Sequence, residues 1–306
     1  MKETLEGLRH KIEGAKDLGS VIRTMKALSA SSISHYERAV QSLSDYYRTV
    51  ALGLYIFFRQ VEAFPVPADT KKETVGTVGA VIFGAGQGLA GQFNDVILDF
   101  AINEIIKTPG KKIVWAVGES IQGRLEDAGL FPARMFLMPN SVDAITPLVG
   151  DILKEIEAQV EQGEIARVSL YHNRPKSGSI YEPVNQNFLP LDEKWREELI
   201  ITDWRSGNLP EVTGSTEFTL KALIREYLFV SLFRACAESL ASENASRLAA
   251  MQRAEKNIED LLNDLRQEYH YLRQSAIDEE LFDVIAGSEA QTGKQTSKCP
   301  YYKTGH

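Results

Sequence analysis

The chain has 306 residues, enough for one large domain or two modest ones, with 43% hydrophobic and 25% charged residues, ordinary proportions for a globular protein. Its net charge of −8 argues against the basic face that a nucleic-acid binder turns to phosphates, so no nucleic-acid partner is expected. Cys236 and Cys299 form neither a disulfide framework nor a CxxC pair, which points to a reducing compartment.

The opening MKETLEGLRHKIEG is too charged for a signal peptide. The most apolar runs, Val50–Phe58 and Leu228–Phe233, fall far short of the roughly 20 residues a membrane helix needs, so no direct membrane insertion is expected.

Residues 1–64 contain no proline. Apolar or small residues recur at Leu5, Leu8, Ile12, Ala15, Leu18, Ile22, Met25, Leu28, Ser32, Tyr36, Ala39, Leu43, Tyr46, Val50, Leu54, Phe57 and Val61, a mean spacing of 3.5. That period, rather than 3.6, marks a left-handed coiled-coil seam.

Residues 75–212 alternate as an α/β unit. Strands are expected at Val75–Phe83, Lys111–Val117, Ile165–His172 and Ile180–Leu189, the last two around a turn at Asn173–Ser179. Helices are expected at Gln92–Lys107, Glu119–Ala128 and Val142–Gln162. The result is a modest doubly wound sheet.

From Ser215 to Ala286 run 72 residues with neither glycine nor proline, opening on hydroxyls able to cap a first turn. The apolar stripe there includes Leu220, Leu223, Tyr227, Ser231, Leu248, Met251, Ala254, Ile258, Leu261, Leu265, Tyr269, Leu272 and Ala276. Unbroken, such a helix reaches roughly 100 Å. Two helices this long at opposite ends of one chain must project beyond a domain of this size and cover each other's stripes, as a two-helix antiparallel coiled coil does. The fold class is therefore α/β: a long antiparallel coiled coil of helices 1–64 and 215–287 plus a Rossmann-like domain over 75–212. Residues 288–306, polar and lysine-rich, are expected to be disordered.

Gly86-Gln-Gly88-Leu-Ala-Gly91 matches GxGxxG between an expected strand and helix, the context that places a pyrophosphate on a helix N-terminus. Glu119, past the second strand, could serve as the ribose-binding acid. A dinucleotide-dependent oxidoreductase is one reading of this loop. A tight turn in which glycine supplies unusual backbone angles is the other. His10, His35, His172, His270 and His306 lack metal-ligand spacing, and no GxSxG, HExxH or phosphate-loop motif occurs. No catalytic residue, cofactor or metal is expected, and a coiled-coil scaffold protein is a second alternative.

In the C-terminal stretch, ASENASRLAAM (241–251), Ala254-x-x-Asn257, Tyr269-x-x-x-Arg273-Gln274 and Ile277-x-x-Glu280-x-x-Asp283-x-x-x-Gly287 together resemble the end of F-type ATPase γ subunits. Leu8-Arg9-His10-Lys11-Ile12 and Met25-Lys26 are similar to the family's opening helix, and Gly88-Leu-Ala-Gly91-Gln-Phe-Asn94 to its GLCGGFN segment. The resemblance implies a non-catalytic central rotor subunit of an ATP synthase or ATPase. Its coiled coil would stand inside a ring of three α and three β subunits. Its Rossmann-like domain, which binds no nucleotide, would sit against an ε subunit and the c ring, peripheral to the cytoplasmic face of the cell membrane. Rotor–stator coupling contacts carried over from the family are Arg9, Met25, Lys26, Arg247, Arg273, Gln274 and Glu280. Met25 and Lys26 fall near the β lever, and Arg273, Gln274 and Glu280 at its catch loop.

Ala85-Gly86 replaces the family's Ser-Asp, and Gln87 its next basic residue. Ala90, Gln92, Asp278 and Gly287-Ser288 replace its Cys, Gly, Thr and Gly-Ala. These departures imply a divergent branch, such as the alternative F-type (N-ATPase-like) enzymes proposed as sodium or proton pumps. The extra QTGKQTSKCPYYKTGH is either a spacer or an inhibitory plug.

Overall fold

The structure, a computed structural model, describes residues 4–60, 76–163, 165–176, 179–191, 195 and 215–295. The elements run α1 (Leu5–Gln60), β1 (Thr77–Phe83), α2 (Phe93–Lys107), β2 (Lys112–Val117), a 3₁₀ turn at Glu119–Ile121, α3 (Gln122–Asp127), β3 (Pro132–Phe136), α4 (Ile145–Glu161), β4 (Ile165–Lys176), β5 (Ser179–Leu189) and α5 (Thr216–Gln295). They divide into two compact units, Met1–Thr24 with Gln252–His306, and Met25–Met251.

In the first unit the two helices meet through Leu8, Ala15 and Leu265, flanked by Ile12, Leu262, Tyr269 and Leu272. Gly19 is buried against Ile258, and a Cβ there would stand 3.5 Å from the Ile258 side chain, in ordinary contact, so the space suits a small residue.

In the second unit a five-stranded sheet has the order β3-β2-β1-β4-β5. β1 lies parallel to β2 and β4, β2 parallel to β3, and β5 antiparallel to β4. β1 is central and covered on both faces, which explains its unbroken apolar run. Ala80 and Ile82 pack on Ile97, Leu98, Ala101 and Ile105 of α2 and on Leu125 of α3. Val81 and Phe83, pointing the other way, join a larger core with Val149, Ile152 and Ile156 of α4 and with both long helices. Within this unit Tyr47 stacks on Tyr227 with ring centroids 5.5 Å apart, and Gly53 lies against Leu223. Position numbers rise along α1 as they fall along α5, so the pair is antiparallel.

The expected elements differ from the observed ones in four places. The buried seam of α1 keeps a strict seven-residue repeat through Leu8, Ala15, Ile22, Ser29, Tyr36, Leu43, Val50 and Phe57, all buried or half-buried. Leu18 and Leu28, placed in the seam by their apolarity, stand 59% and 64% exposed, and their neighbours Gly19 and Ser29 take the seam instead. A close helix pair selects small residues at such positions. Leu261 and Leu262 exchange roles in the same way.

β3 was not expected. It is an edge strand whose start is a proline and whose middle is exposed, so it lacks an apolar run. β4 and β5 extend further than expected, with Lys176 opposite Ser179. Arg174 and Lys176 both pair with Glu182 across this hairpin, at 2.8 and 2.5 Å. Finally, α5 continues to Gln295 where disorder was expected from 288, because no proline interrupts the backbone before residue 300. Val61 and residues 296–306 lie outside the described residues.

Candidate functional site

Strand order reverses at β1, whose neighbours are β2 and β4. In doubly wound folds the crevice beyond the carboxyl ends of the strands at such a point receives the ligand. Here α5 of the same chain occupies it. Between Glu238 and Arg247, α5 buries a polar set, Glu238, Ser239, Ser242, Glu243, Asn244, Ser246 and Arg247, beside the apolar Leu240 and Ala241.

Five of these residues bond to the sheet or the glycine loop, and further bonds run along the helix itself. His172 of β4 and Glu238 meet at 2.9 Å between Nε2 and Oε2, while Arg234 donates to the other carboxylate oxygen at 2.8 Å. One turn on, the Ser242 hydroxyl donates to the Asn173 carbonyl at 3.1 Å. Gly86 N–H donates to Glu243 Oε2 at 3.3 Å, and Ser246 Oγ to the Ala90 carbonyl at 2.6 Å. Arg247 Nη2 donates to Glu243 Oε1 at 2.5 Å and to the Gln87 carbonyl at 3.2 Å, and its Nε reaches the Gly88 carbonyl at 3.5 Å.

From its other side the loop is held by Asn94, whose Oδ1 accepts from Ala85 N–H at 2.8 Å and whose Nδ2 donates to Ser120 at 3.0 Å. Gly118 lets the end of β2 approach: its φ is 101°, and a Cβ there would stand 2.8 Å from the Ala85 carbonyl oxygen. Leu89 sits between the clamped carbonyls with φ at 63°, a left-handed conformation costly for leucine, and its side chain is 62% exposed.

This arrangement bears on the GxGxxG alternative. The Gly86 amide, which would face a pyrophosphate in a dinucleotide enzyme, faces a buried carboxylate that would repel one. The loop carbonyls are committed to Arg247 and Ser246.

The two carboxylates of the site are each paired with a cation, Glu238 with Arg234 and Glu243 with Arg247. Burial would raise the Glu238 carboxyl, but the hydrogen bond and charge of His172, with those of Arg234, overcome it and hold the group below the usual value. Burial, then the charges of Cys236 and Glu243, push the nearby Tyr36 hydroxyl up against the opposing charge of Arg247. Burial also pushes the Cys236 thiol far up, leaving it unreactive.

Of the carried-over contacts, Met25 and Arg247 both line a cavity of about 440 Å³ beside the glycine loop, together with Tyr36, Gln87, Glu119 and Met138. Lys26 is half-buried. Arg247 turns inward with 7% exposure and donates to the loop carbonyls, to Asn244 and to Glu243. Arg9, Arg273, Gln274 and Glu280 belong to the other unit and are exposed. There Arg9 pairs with Glu13 at 3.7 Å, and Gln274 donates to Asp278 at 3.2 Å.

Sequence reasoning missed Glu238, Glu243 and Ser246. A signal was present: the apolar stripe read along the second helix has no member between Ser231 and Leu248, and the buried polar residues 238–247 lie within that gap. Among the described residues no helix is long and apolar enough to cross a membrane.

The sequence profile of the ATP synthase family matches residues 4–291. An ATP synthase gamma chain of Polynucleobacter asymbioticus is 24% identical, the match covering 92% of this chain and 98% of that one. The gamma chain of Bdellovibrio bacteriovorus is 27% identical over 95% and 99%. In fold, the chain is similar to a chain in the rotor of Euglena gracilis mitochondrial ATP synthase, with a TM-score of 0.62 at 16% identity over 89% of this chain and 98% of that one. With the two long helices, the α/β domain and this profile in agreement, the chain belongs to the ATP synthase family, among its γ chains, the non-catalytic subunits of the central stalk.

Proposed function

We propose that this chain is the axle that couples ion movement through a membrane sector to ATP synthesis or hydrolysis in a ring of three α and three β subunits. The paired helices stand within the ring, and the α/β domain meets an ε subunit and the c ring at the cytoplasmic face of the membrane. As the axle turns, each β subunit meets a different face of it and changes its nucleotide affinity, a coupling through differential contacts.

Arg9, Met25, Lys26, Arg273, Gln274 and Glu280 serve as contacts with the stator. The exposed polar groups of Arg273, Gln274 and Glu280 suit hydrogen bonds that form and break. The Met25 thioether, at the cavity rim, suits a sliding partner. Identities of 24 to 27% to bacterial γ chains fit a divergent branch.

The observation that carries this reading is the antiparallel pairing of two helices of 56 and 80 residues drawn from opposite ends of the chain. Co-expression with the α and β subunits of the same genome tests it. The expected result is one complex containing all three, with ATP hydrolysis that falls when Arg273, Gln274 and Glu280 are replaced by alanine. A chain that elutes alone, away from α and β, would refute it.

A further inference from the structure

We infer that the polar face of α5 from Glu238 to Arg247 is a keyed joint. It fixes the long helix in one rotational register against the sheet, and Glu243 and Arg247 are its positioning residues. The inference rests on the rotor reading and adds to it the place where torque passes from helix to α/β domain.

Stability alone does not call for this chemistry. Replacing a buried ion pair by apolar side chains of similar volume is often neutral or stabilising. What a polar face adds is geometric discrimination. If α5 advanced by one residue, its side chains would turn by about 100° and move by about 1.5 Å. An apolar face could repack after that slip. The polar face could not, because Glu238, Ser242, Glu243, Ser246 and Arg247, themselves buried, would each lose a partner.

The partners lie on two separate parts of the domain, His172 and Asn173 on β4 and Gly86 to Ala90 in the loop after β1. Contacts along two directions resist rotation as well as sliding. Leu89 registers the constraint: its left-handed backbone persists because the carbonyls at 87, 88 and 90 are all held from α5. The crevice that takes a ligand in enzymes of similar topology is used here as a socket for the chain's own helix.

The test uses the full chain assembled with α, β and ε subunits and the membrane sector in sealed liposomes. ATP hydrolysis and ATP-driven ion uptake are measured on the same vesicles. Glu243→Met with Arg247→Met removes both charges, so that neither is left buried alone. Ser242→Ala with Ser246→Ala removes two hydroxyl donors without changing charge, which covers the case in which the first pair does not assemble. The expected result for each is retained hydrolysis with a loss of ion uptake per ATP consumed, larger for the charge pair. Unchanged uptake per ATP in an assembled variant of either kind would overturn the joint while leaving the rotor reading intact. Failure of the unmodified chain to enter the complex would instead strike the rotor reading itself.

Discussion

The same two helices are held by different chemistry in the two units. In the first, Leu8, Ala15, Gly19, Ile258 and Leu265 make a thin apolar seam with small residues at the close approach. In the second, the helices pack on a sheet through a deep apolar core, and within it seven residues of α5 from Glu238 to Arg247 present a buried polar face. An apolar seam stabilises by removing surface from water and is indifferent to small shifts. A buried polar face is worth little net stability but loses heavily when misaligned. One region needs cohesion; the other needs a defined angle.

The largest expected effect comes from breaking the polar face unevenly. Arg247→Met alone leaves the Glu243 carboxylate buried and unpaired, and should cost about 3–5 kcal/mol in chemical denaturation. The double replacement with Glu243→Met should recover most of that. If the single change costs no more than the double, the contrast between the units fails.

In the apolar seam, Leu8→Ala should cost about 2–5 kcal/mol, as expected for a fully buried leucine. It should leave ion uptake per ATP unchanged in complexes that assemble.

The pH dependence sharpens the polar side. The Glu238 carboxyl titrates below its ordinary 4.5 in the folded chain, so the unfolded chain binds more protons in that range. Its stabilisation is complete above pH 4.5 and is lost as the pH falls through the lowered value. Glu238→Gln should therefore flatten the acid limb of the stability profile measured by thermal melts, and an unchanged limb would remove Glu238 from the account.

Leu89→Gly should raise stability by up to about 1 kcal/mol by relieving the left-handed leucine, offset by the greater freedom of glycine when unfolded. The smallest effect belongs to Leu18→Ala, within about 0.5 kcal/mol despite its place in the apolar repeat, because that side chain is exposed.

These positions also show how much could be read from the amino acids alone. Period and length revealed both long helices, and alternation revealed four of the five strands. Their boundaries agreed to within about four residues at most ends, as such readings allow. Apolarity located Leu8, Ala15, Tyr36, Val50 and Phe57 in the seam but misplaced Leu18 and Leu28, since closeness of approach selects for size as well as polarity.

β3 escaped because Pro132 and Arg134 break its pattern at an exposed edge. The polar face escaped because glutamate, serine and arginine on a helix read as surface until their partners are known. Those partners, His172 and the carbonyls of the glycine loop, lie from 66 to 160 residues away in sequence. The glycine loop was visible as a motif, but only its clamping from α5 separates a socket from a phosphate cradle.

The most direct test fixes the α3β3 ring to a surface and attaches a visible bead to an exposed side chain of the α/β domain, such as Lys154 changed to cysteine. With ATP supplied, the account predicts that the bead turns persistently in one direction and stops when ATP is withdrawn. A bead that stays still while the same complexes hydrolyse ATP would contradict it.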